Sequence, residues 1–428
     1  MDYLVIEGAK PLHGSVEISG SKNAALPMLM ASILSENVTH FKNLPRLSDV
    51  DFALKILVEL GGNVRMTREN NYISAYIEFE KNANCVAPYE LVRKMRASIS
   101  VLGPILARYG VAKVSLPGGC AIGARPVDLH IMVMEKLGAD INIEEGYIIA
   151  KAEKLRGAEI VFPFVSVGAT QAAMMTASVA DGTSIIRNVS MEPETVELGL
   201  MLNKMGAKIE GLGTDTLTIY GTNSKSLPGA LGPISIVPDR IEAGTYAIAA
   251  AATRGKVTIN NIVPKHIEIL LYNLKESGVD IQEGVDHIVV DATNMKTTKP
   301  VDIVTAPYPG FPTDLQAQWM AYMSMAEGTT TVTERIFENR FIHIGELFRL
   351  GARIKHSGNI ATVYGVKKLT GAPVMATDLR ASASLVIAAL MAEGTTEIHR
   401  VYHIDRGYER IDEKLKGLGA KVTRQREG

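Results

Sequence analysis

Apolar and polar positions along this chain follow one pattern six times over. Within each copy an Ala/Met/Leu-rich stretch gives way to a short alternating run. A charged stretch with helical spacing comes next, then a small-glycine step into two further alternating runs. The copy after residue 238 is the easiest to read. Residues 238–253 open on Pro-Asp and continue as a largely apolar helix, and 256–262 read as a strand. Ile267, Leu270, Leu271 and Leu274 then fall three, one and three apart, the spacing of one helical face. Residues 280–282 and 287–290 alternate and predict a hairpin. The glycine of the step lies at 61, 138, 206, 278, 351 and 419, at intervals of 77, 68, 72, 73 and 68 residues. A second marker keeps pace with it as Asp181-Gly182-Thr183, Arg254-Gly255-Lys256, Glu327-Gly328-Thr329 and Glu393-Gly394-Thr395. A period this long describes a copied α/β subdomain rather than a solenoid. Between the third and fourth copies lies the densest Pro/Gly/Ser stretch, 224–233, which predicts a hinge. The expected architecture is two lobes of three units, with a cleft between them that opens and closes.

Composition narrows the classes of function. The chain has 428 residues, 21% of them charged, with a formal net charge of −1, so charge supplies no reason to expect nucleic acid or an anionic membrane as partner. The longest apolar stretches, 246–253 and 385–392, fall far short of the roughly 20 residues a bilayer span needs. Met1 to Gly8 is acidic and alternating, which predicts a strand and not a signal peptide. Cys85 and Cys120 are too few for a disulfide framework. A cytoplasmic protein is expected, with no obligate protein partner evident.

The starts of the apolar helices carry polar residues that a core does not require: Ser21-Lys22-Asn23, Arg93-Lys94-Met95-Arg96, Ser166-Val167-Gly168, Asp239-Arg240-Ile241-Glu242, Thr313-Asp314 and Asp378-Leu379-Arg380. Ser, Thr and Asp there are expected as N-caps. Lys22, Arg96 and Arg380 oppose the helix macrodipole, so a shared register needs another reason. Free N–H groups combined with Arg and Lys make a site for phosphate or carboxylate, and exposed surface cations are the plain alternative. Residues 116–130 hold three glycines, Cys120 and, five residues on, Arg125. A guanidinium beside a thiol favours thiolate, which makes Cys120 a candidate nucleophile or proton carrier. Gly20-Ser21-Lys22 lacks phosphate-loop spacing, and no dinucleotide fingerprint follows a strand. His399 and His403 lack a carboxylate cluster, so neither metal nor cofactor is expected.

These residues together resemble the UDP-N-acetylglucosamine 1-carboxyvinyltransferase family of enolpyruvyl transferases, along essentially the whole chain. The resemblance rests on Ser19-Gly20-Ser21-Lys22-Asn23, Met95-Arg96-Ala97-Ser98, residues 117–130, Pro238-Asp239-Arg240-Ile241-Glu242, Phe311-Pro312-Thr313-Asp314, Phe337-Glu338-Asn339-Arg340, Asp378-Leu379-Arg380 and Asp405-Arg406-Gly407-Tyr408. It implies an α/β fold: a two-lobed, inside-out α/β barrel (α/β prism) of six βαβαββ units. Residues 22–237 would form the lobe of the catalytic loop, and 1–21 with 238–428 the other. The implied reaction moves the enolpyruvyl group of phosphoenolpyruvate to the 3'-hydroxyl of UDP-N-acetylglucosamine, releasing phosphate, by addition and elimination through a tetrahedral ketal. This is the first committed step of peptidoglycan synthesis.

By the same resemblance Cys120 is the proton donor, open to alkylation by the epoxide fosfomycin, and Asp314 the base at the hydroxyl. Lys22 and Arg406 take part in catalysis and, with Asn23, Arg125 and Arg380, bind phosphoenolpyruvate. The sugar nucleotide would meet Arg96, Arg125, Pro126, Val127, Asp128 and Leu129, then Ser166, Val167, Gly168, Asp314 and Ile336. Glu338 and Asn339 would support the site. Phe164 stands where some relatives place a lysine against the diphosphate. The sister enzyme acting on shikimate 3-phosphate lacks this cysteine loop and the Ala124-Arg125-Pro126-Val127-Asp128-Leu129-His130 segment. A silent scaffold would be expected to have lost at least one of Lys22, Cys120, Asp314, Arg380 or Arg406.

Overall fold

The computed structural model describes residues 1–69, 72–80, 83–92, 95–116 and 127–426. It contains six four-stranded sheets with one plan. In each, a short edge strand runs parallel to its neighbour, and two antiparallel strands complete the sheet. Ile303–Val304, Thr329–Thr333, Ile360–Tyr364 and Arg353–Ser357 form one of them in that order. The predicted hairpin is present as Asp280–Glu283 paired with His287–Asp291. Asp2–Glu7 pairs on one side with Thr395–His399 and on the other with Lys421–Arg426.

The chain divides into two compact units, one of Met1–Ser19 with Pro238–Gly428, the other of Gly20–Gly119 with Arg125–Val237. Each has three of the sheets and its own apolar core. In the first unit the helices Arg240–Ala252, Gln316–Met323 and Leu379–Met391 pack on one another. They are apolar on nearly every face, as a helix surrounded by core must be. Close packing asks for small residues at the crossings: a Cβ at Gly244 would lie 2.6 Å from Leu315 Cδ1. In the second unit Leu102–Tyr109 packs on Val167–Ala177, and Lys22–Ala31 on the 3-10 turn Arg96–Val101. No helix among the described residues is long and apolar enough to cross a membrane.

The repeated glycines have one structural cause. Gly61, Gly138, Gly206, Gly278, Gly351 and Gly419 each follow an outer helix and adopt φ between +87° and +108°. That left-handed turn ends the helix and sends the chain into the next strand, and a side chain there would be strained. The 224–233 stretch is not a hinge between units. It lies within the second unit, where Leu227 N donates to Leu34 O at 2.7 Å and Asn37 Nδ2 to Pro228 O at 2.7 Å. Proline and glycine there shape an irregular segment that is stitched down. The chain passes from one unit to the other at Ser19–Gly20 and again at Val237–Pro238.

Candidate active site

Four helix starts are capped by side chains as expected. Ser21, Ser166, Asp239 and Asp378 accept bonds from the first-turn N–H groups of their helices. Thr313 and Asp314 are exceptions, and they reveal the site in the first unit. Pro312 is extended, and Thr313–Leu315 makes a single 3-10 turn ahead of the helix Gln316–Met323. Thr313 Oγ1 turns away and donates to Glu334 Oε2 at 2.8 Å. Glu334 Oε1 accepts from Thr305 Oγ1 at 2.8 Å and from the backbone N–H of Ile336 at 2.7 Å. One buried carboxylate thus fixes the Asp314 turn and the Ile336 segment together.

Asp314 is left to face two guanidinium groups. Its Oδ1 accepts from Arg340 Nη2 at 2.9 Å and its Oδ2 from Arg380 Nη2 at 2.8 Å. Side-chain exposure is 5% for Arg340, 4% for Arg380 and 25% for Asp314, so the carboxylate is the member solvent reaches. Charge-assisted bonds of this kind are short and strong. Burial works against the charge on Arg380, but Asp314 outweighs it and the guanidinium is held more firmly protonated than usual. Its other nitrogen, Nη1, donates to the Tyr408 hydroxyl at 3.3 Å. Behind the pair, His343 is buried, which lowers its pKa to about 4 against the pull of Asp378, so the imidazole is neutral near pH 7.

Two of the cations at helix starts, Lys22 and Arg380, are therefore not surface decoration. In the second unit Lys22 opens its helix, is 9% exposed, and donates from Nζ to Asp49 Oδ2 at 3.1 Å. Both Lys22 and Arg380 meet a carboxylate of the protein itself, which offsets the unfavourable helix macrodipole. Asn23 is half-buried beside Lys22. Helices Asp128–Lys136 and Val167–Ala177 lie so close that a Cβ on Gly168 would be 2.9 Å from His130 Nε2. This brings Asp128 and Leu129 near Ser166, Val167 and Gly168, with Asp128 and Val167 exposed and Val127 buried beneath them. Phe164 is exposed nearby in sequence.

Cys120, Arg125 and Pro126 lie outside the described residues, as does the side chain of Arg96, which opens the turn Arg96–Val101. Arg406 ends the 3-10 turn Val401–Arg406 and is half-buried, as is Ile336. Glu338 and Asn339 are exposed in the turn leading to Arg340. Sequence reasoning missed Arg340, Glu334, Gln318 and Tyr408. Arg340 and Tyr408 stand inside two of the motifs quoted for the family resemblance, so a signal was present, although neither falls at a helix start.

A profile of the EPSP synthase (3-phosphoshikimate 1-carboxyvinyltransferase) family matches residues 6–415. Two solved structures share the fold. The enolpyruvyl transferase NikO from Streptomyces tendae superposes with a TM-score of 0.86 at 24% identity, over 99% of this chain and 98% of that one. EPSP synthase from Acinetobacter baumannii superposes with 0.75 at 16% identity, over 99% and 100%. The chain belongs to the EPSP synthase family of carboxyvinyltransferases, α/β proteins of repeated βα units. Within it, a Geobacter metallireducens protein named UDP-N-acetylglucosamine 1-carboxyvinyltransferase is 50% identical over 100% of both chains. Proteins of that name from Dichelobacter nodosus and Caulobacter vibrioides are each 51% identical, over 100% of both chains and over 99% and 98%, respectively.

Proposed function

We propose that this chain transfers the enolpyruvyl group of phosphoenolpyruvate to the 3'-hydroxyl of UDP-N-acetylglucosamine and releases phosphate, the step that commits the sugar to peptidoglycan. One observation carries the choice of acceptor: 50% identity along the whole chain to relatives named for this sugar nucleotide. In the first half of the reaction, phosphoenolpyruvate C3 takes a proton while the sugar oxygen adds to C2, giving a tetrahedral ketal. In the second half C3 gives up a proton, the C2–O bond to phosphate breaks, and the enol ether remains.

Each step suits a residue. Asp314 accepts the hydroxyl proton, and Arg340 and Arg380 hold its carboxylate in one orientation. Cys120 gives the proton to C3. Lys22, Arg125, Arg380 and Arg406 take the phosphate and carboxylate of the donor, where preorganised cations stabilise developing charge, with Asn23 beside them. Arg96, Arg125 to Leu129, Ser166 to Gly168 and Ile336 receive the sugar nucleotide, and Glu338 and Asn339 support them. In this reading the six sheets belong to six βαβαββ units of an inside-out barrel, with lobes 22–237 and 1–21 plus 238–428, working in the cytoplasm without cofactor. Phosphate release from phosphoenolpyruvate, compared with UDP-N-acetylglucosamine and with shikimate 3-phosphate as acceptor, tests it. Release confined to the sugar nucleotide is the expected result, and release confined to shikimate 3-phosphate would overturn it.

A further inference from the structure

Tyr408 is 1% exposed, and its hydroxyl joins four segments of the first unit. Arg380 Nη1 donates to it at 3.3 Å and Gln318 Nε2 at 3.1 Å. Neither a guanidinium nor an amide NH2 can accept, so the phenolic proton has one place to go, Thr245 Oγ1 at 2.9 Å. Thr245 in turn donates to Ile241 O at 2.8 Å. The amide of Gln318 cannot be reversed, because the same Nε2 also donates to Asp314 O at 2.9 Å. The chain of bonds therefore has a fixed direction from Arg380 to the helix backbone.

Two residues before Tyr408 is Arg406, and the glycine between them is pressed against the start of the Arg380 helix. A Cβ on Gly407 would lie 2.6 Å from Leu379 Cδ2. The Arg406 segment is thus seated on the helix that presents Arg380, and the Tyr408 hydroxyl is the polar end of that seat. A guanidinium this deeply buried loses heavily for each N–H without an acceptor. Asp314 meets Nη2 and Tyr408 meets Nη1, so the two together set the plane of the guanidinium.

We infer that Tyr408 is a positioning residue for the transfer reaction: its hydroxyl fixes the Arg380 guanidinium against Asp314 and couples both to the Arg406 segment. This rests on the enolpyruvyl-transfer reading above. Burial raises the phenol's pKa, with Arg380 opposing, so the hydroxyl keeps the proton it gives to Thr245.

The test is a double-mutant cycle of Tyr408→Phe and Arg380→Lys, read as phosphate release. Phe keeps the ring and removes the hydroxyl. We expect Tyr408→Phe alone to lower kcat/KM for phosphoenolpyruvate about tenfold, leaving KM for the sugar nucleotide within about twofold, consistent with lost orientation rather than lost binding. In the Arg380→Lys background the same change has less than a twofold effect. Equal fold-changes in both backgrounds, or none in either, overturn the inference. If Tyr408→Phe fails to fold, Thr245→Val removes the acceptor of the phenolic proton and enters the same cycle. The cycle repeated in melting temperature without substrate reads the contact itself: additive shifts overturn the coupling. No phosphate release by the unaltered chain overturns the reaction and this role with it, whereas release insensitive to the cycle overturns this role alone.

Discussion

Replacing Lys414 by Met should unsettle the first unit more than most single changes, and more at pH 7.5 than at pH 5. Glu242 is 2% exposed, its Oε1 is 2.6 Å from Lys414 Nζ, and its Oε2 accepts from Ser19 N at 2.8 Å. Lys414 also donates to Ser19 Oγ at 2.8 Å, just before the chain crosses to the second unit. Removing one partner of a buried pair strands the other charge, at about 3–5 kcal/mol; Lys414 is 18% exposed, which favours the lower end. For a unit of 150–250 residues, roughly 2–4 °C per kcal/mol gives a loss on the order of 10 °C. Burial raises the Glu242 pKa even with Lys414 in place. A carboxyl whose folded pKa lies above its unfolded one binds more protons when folded, so its contribution is present at low pH and lost as pH rises through the folded value. Without Lys414 that pKa rises further, and protonation at pH 5 relieves the stranded charge. Thermal melts of Lys414→Met at the two pH values, beside the double variant Glu242→Leu/Lys414→Met, are the assay. The double variant should recover most of the loss, because an apolar pair of similar volume replaces an ion pair at little net penalty. A single variant that melts within about 2 °C of the parent, or falls equally at both pH values, refutes the reasoning.

Three further outcomes follow from the site. His343 is held neutral with a pKa of about 4, below the ordinary 6.5, so the folded state binds fewer protons than the unfolded one between those values. The His343 contribution to stability is therefore full above pH 6.5 and falls by up to ~3 kcal/mol as pH drops to 4; in melts across that range His343→Gln should flatten this part of the slope, and an unchanged slope counts against the assignment. Asp314→Ala should lower phosphate release by at least about 10²-fold, the scale of a lost general base, and a variant keeping a tenth of the rate would remove Asp314 from that role. Fosfomycin with the sugar nucleotide should add one drug mass to the peptide carrying Cys120, and mass spectrometry finding that peptide unmodified rejects the thiol as the reactive group.

The parts of this molecule legible in its sequence are those where a backbone conformation admits few residue types. A left-handed turn after each outer helix demands glycine, so Gly61 through Gly419 report the repeat directly. Asp314 and Arg380 were visible because each stands at the start of an otherwise apolar helix, where nothing in the core asks for charge. Arg340 and Glu334 sit in irregular segments, and their roles depend on which buried group needs a partner across the fold. Tyr408 looks like any core aromatic until the donors around its hydroxyl are known. The 224–233 stretch misled because Pro, Gly and Ser report irregular backbone, not a boundary.

The strand Asp2–Glu7 has a consequence for how the molecule comes off the ribosome. It is the inner strand of a sheet whose neighbours are Thr395–His399 and Lys421–Arg426, with Leu4 opposite Ile398 and Asp2 opposite Arg426. This strand therefore waits, both edges bare, until the distant segments Thr395–His399 and Lys421–Arg426 are synthesised. Meanwhile Gly20–Gly119 and Arg125–Val237 already include every strand of three sheets and can close a core of their own. Vectorial synthesis thus builds the inserted unit first and the enclosing one last. The charged residues at the two ends of the waiting strand, Asp2 and Glu7, disfavour its pairing with another nascent chain in the interval.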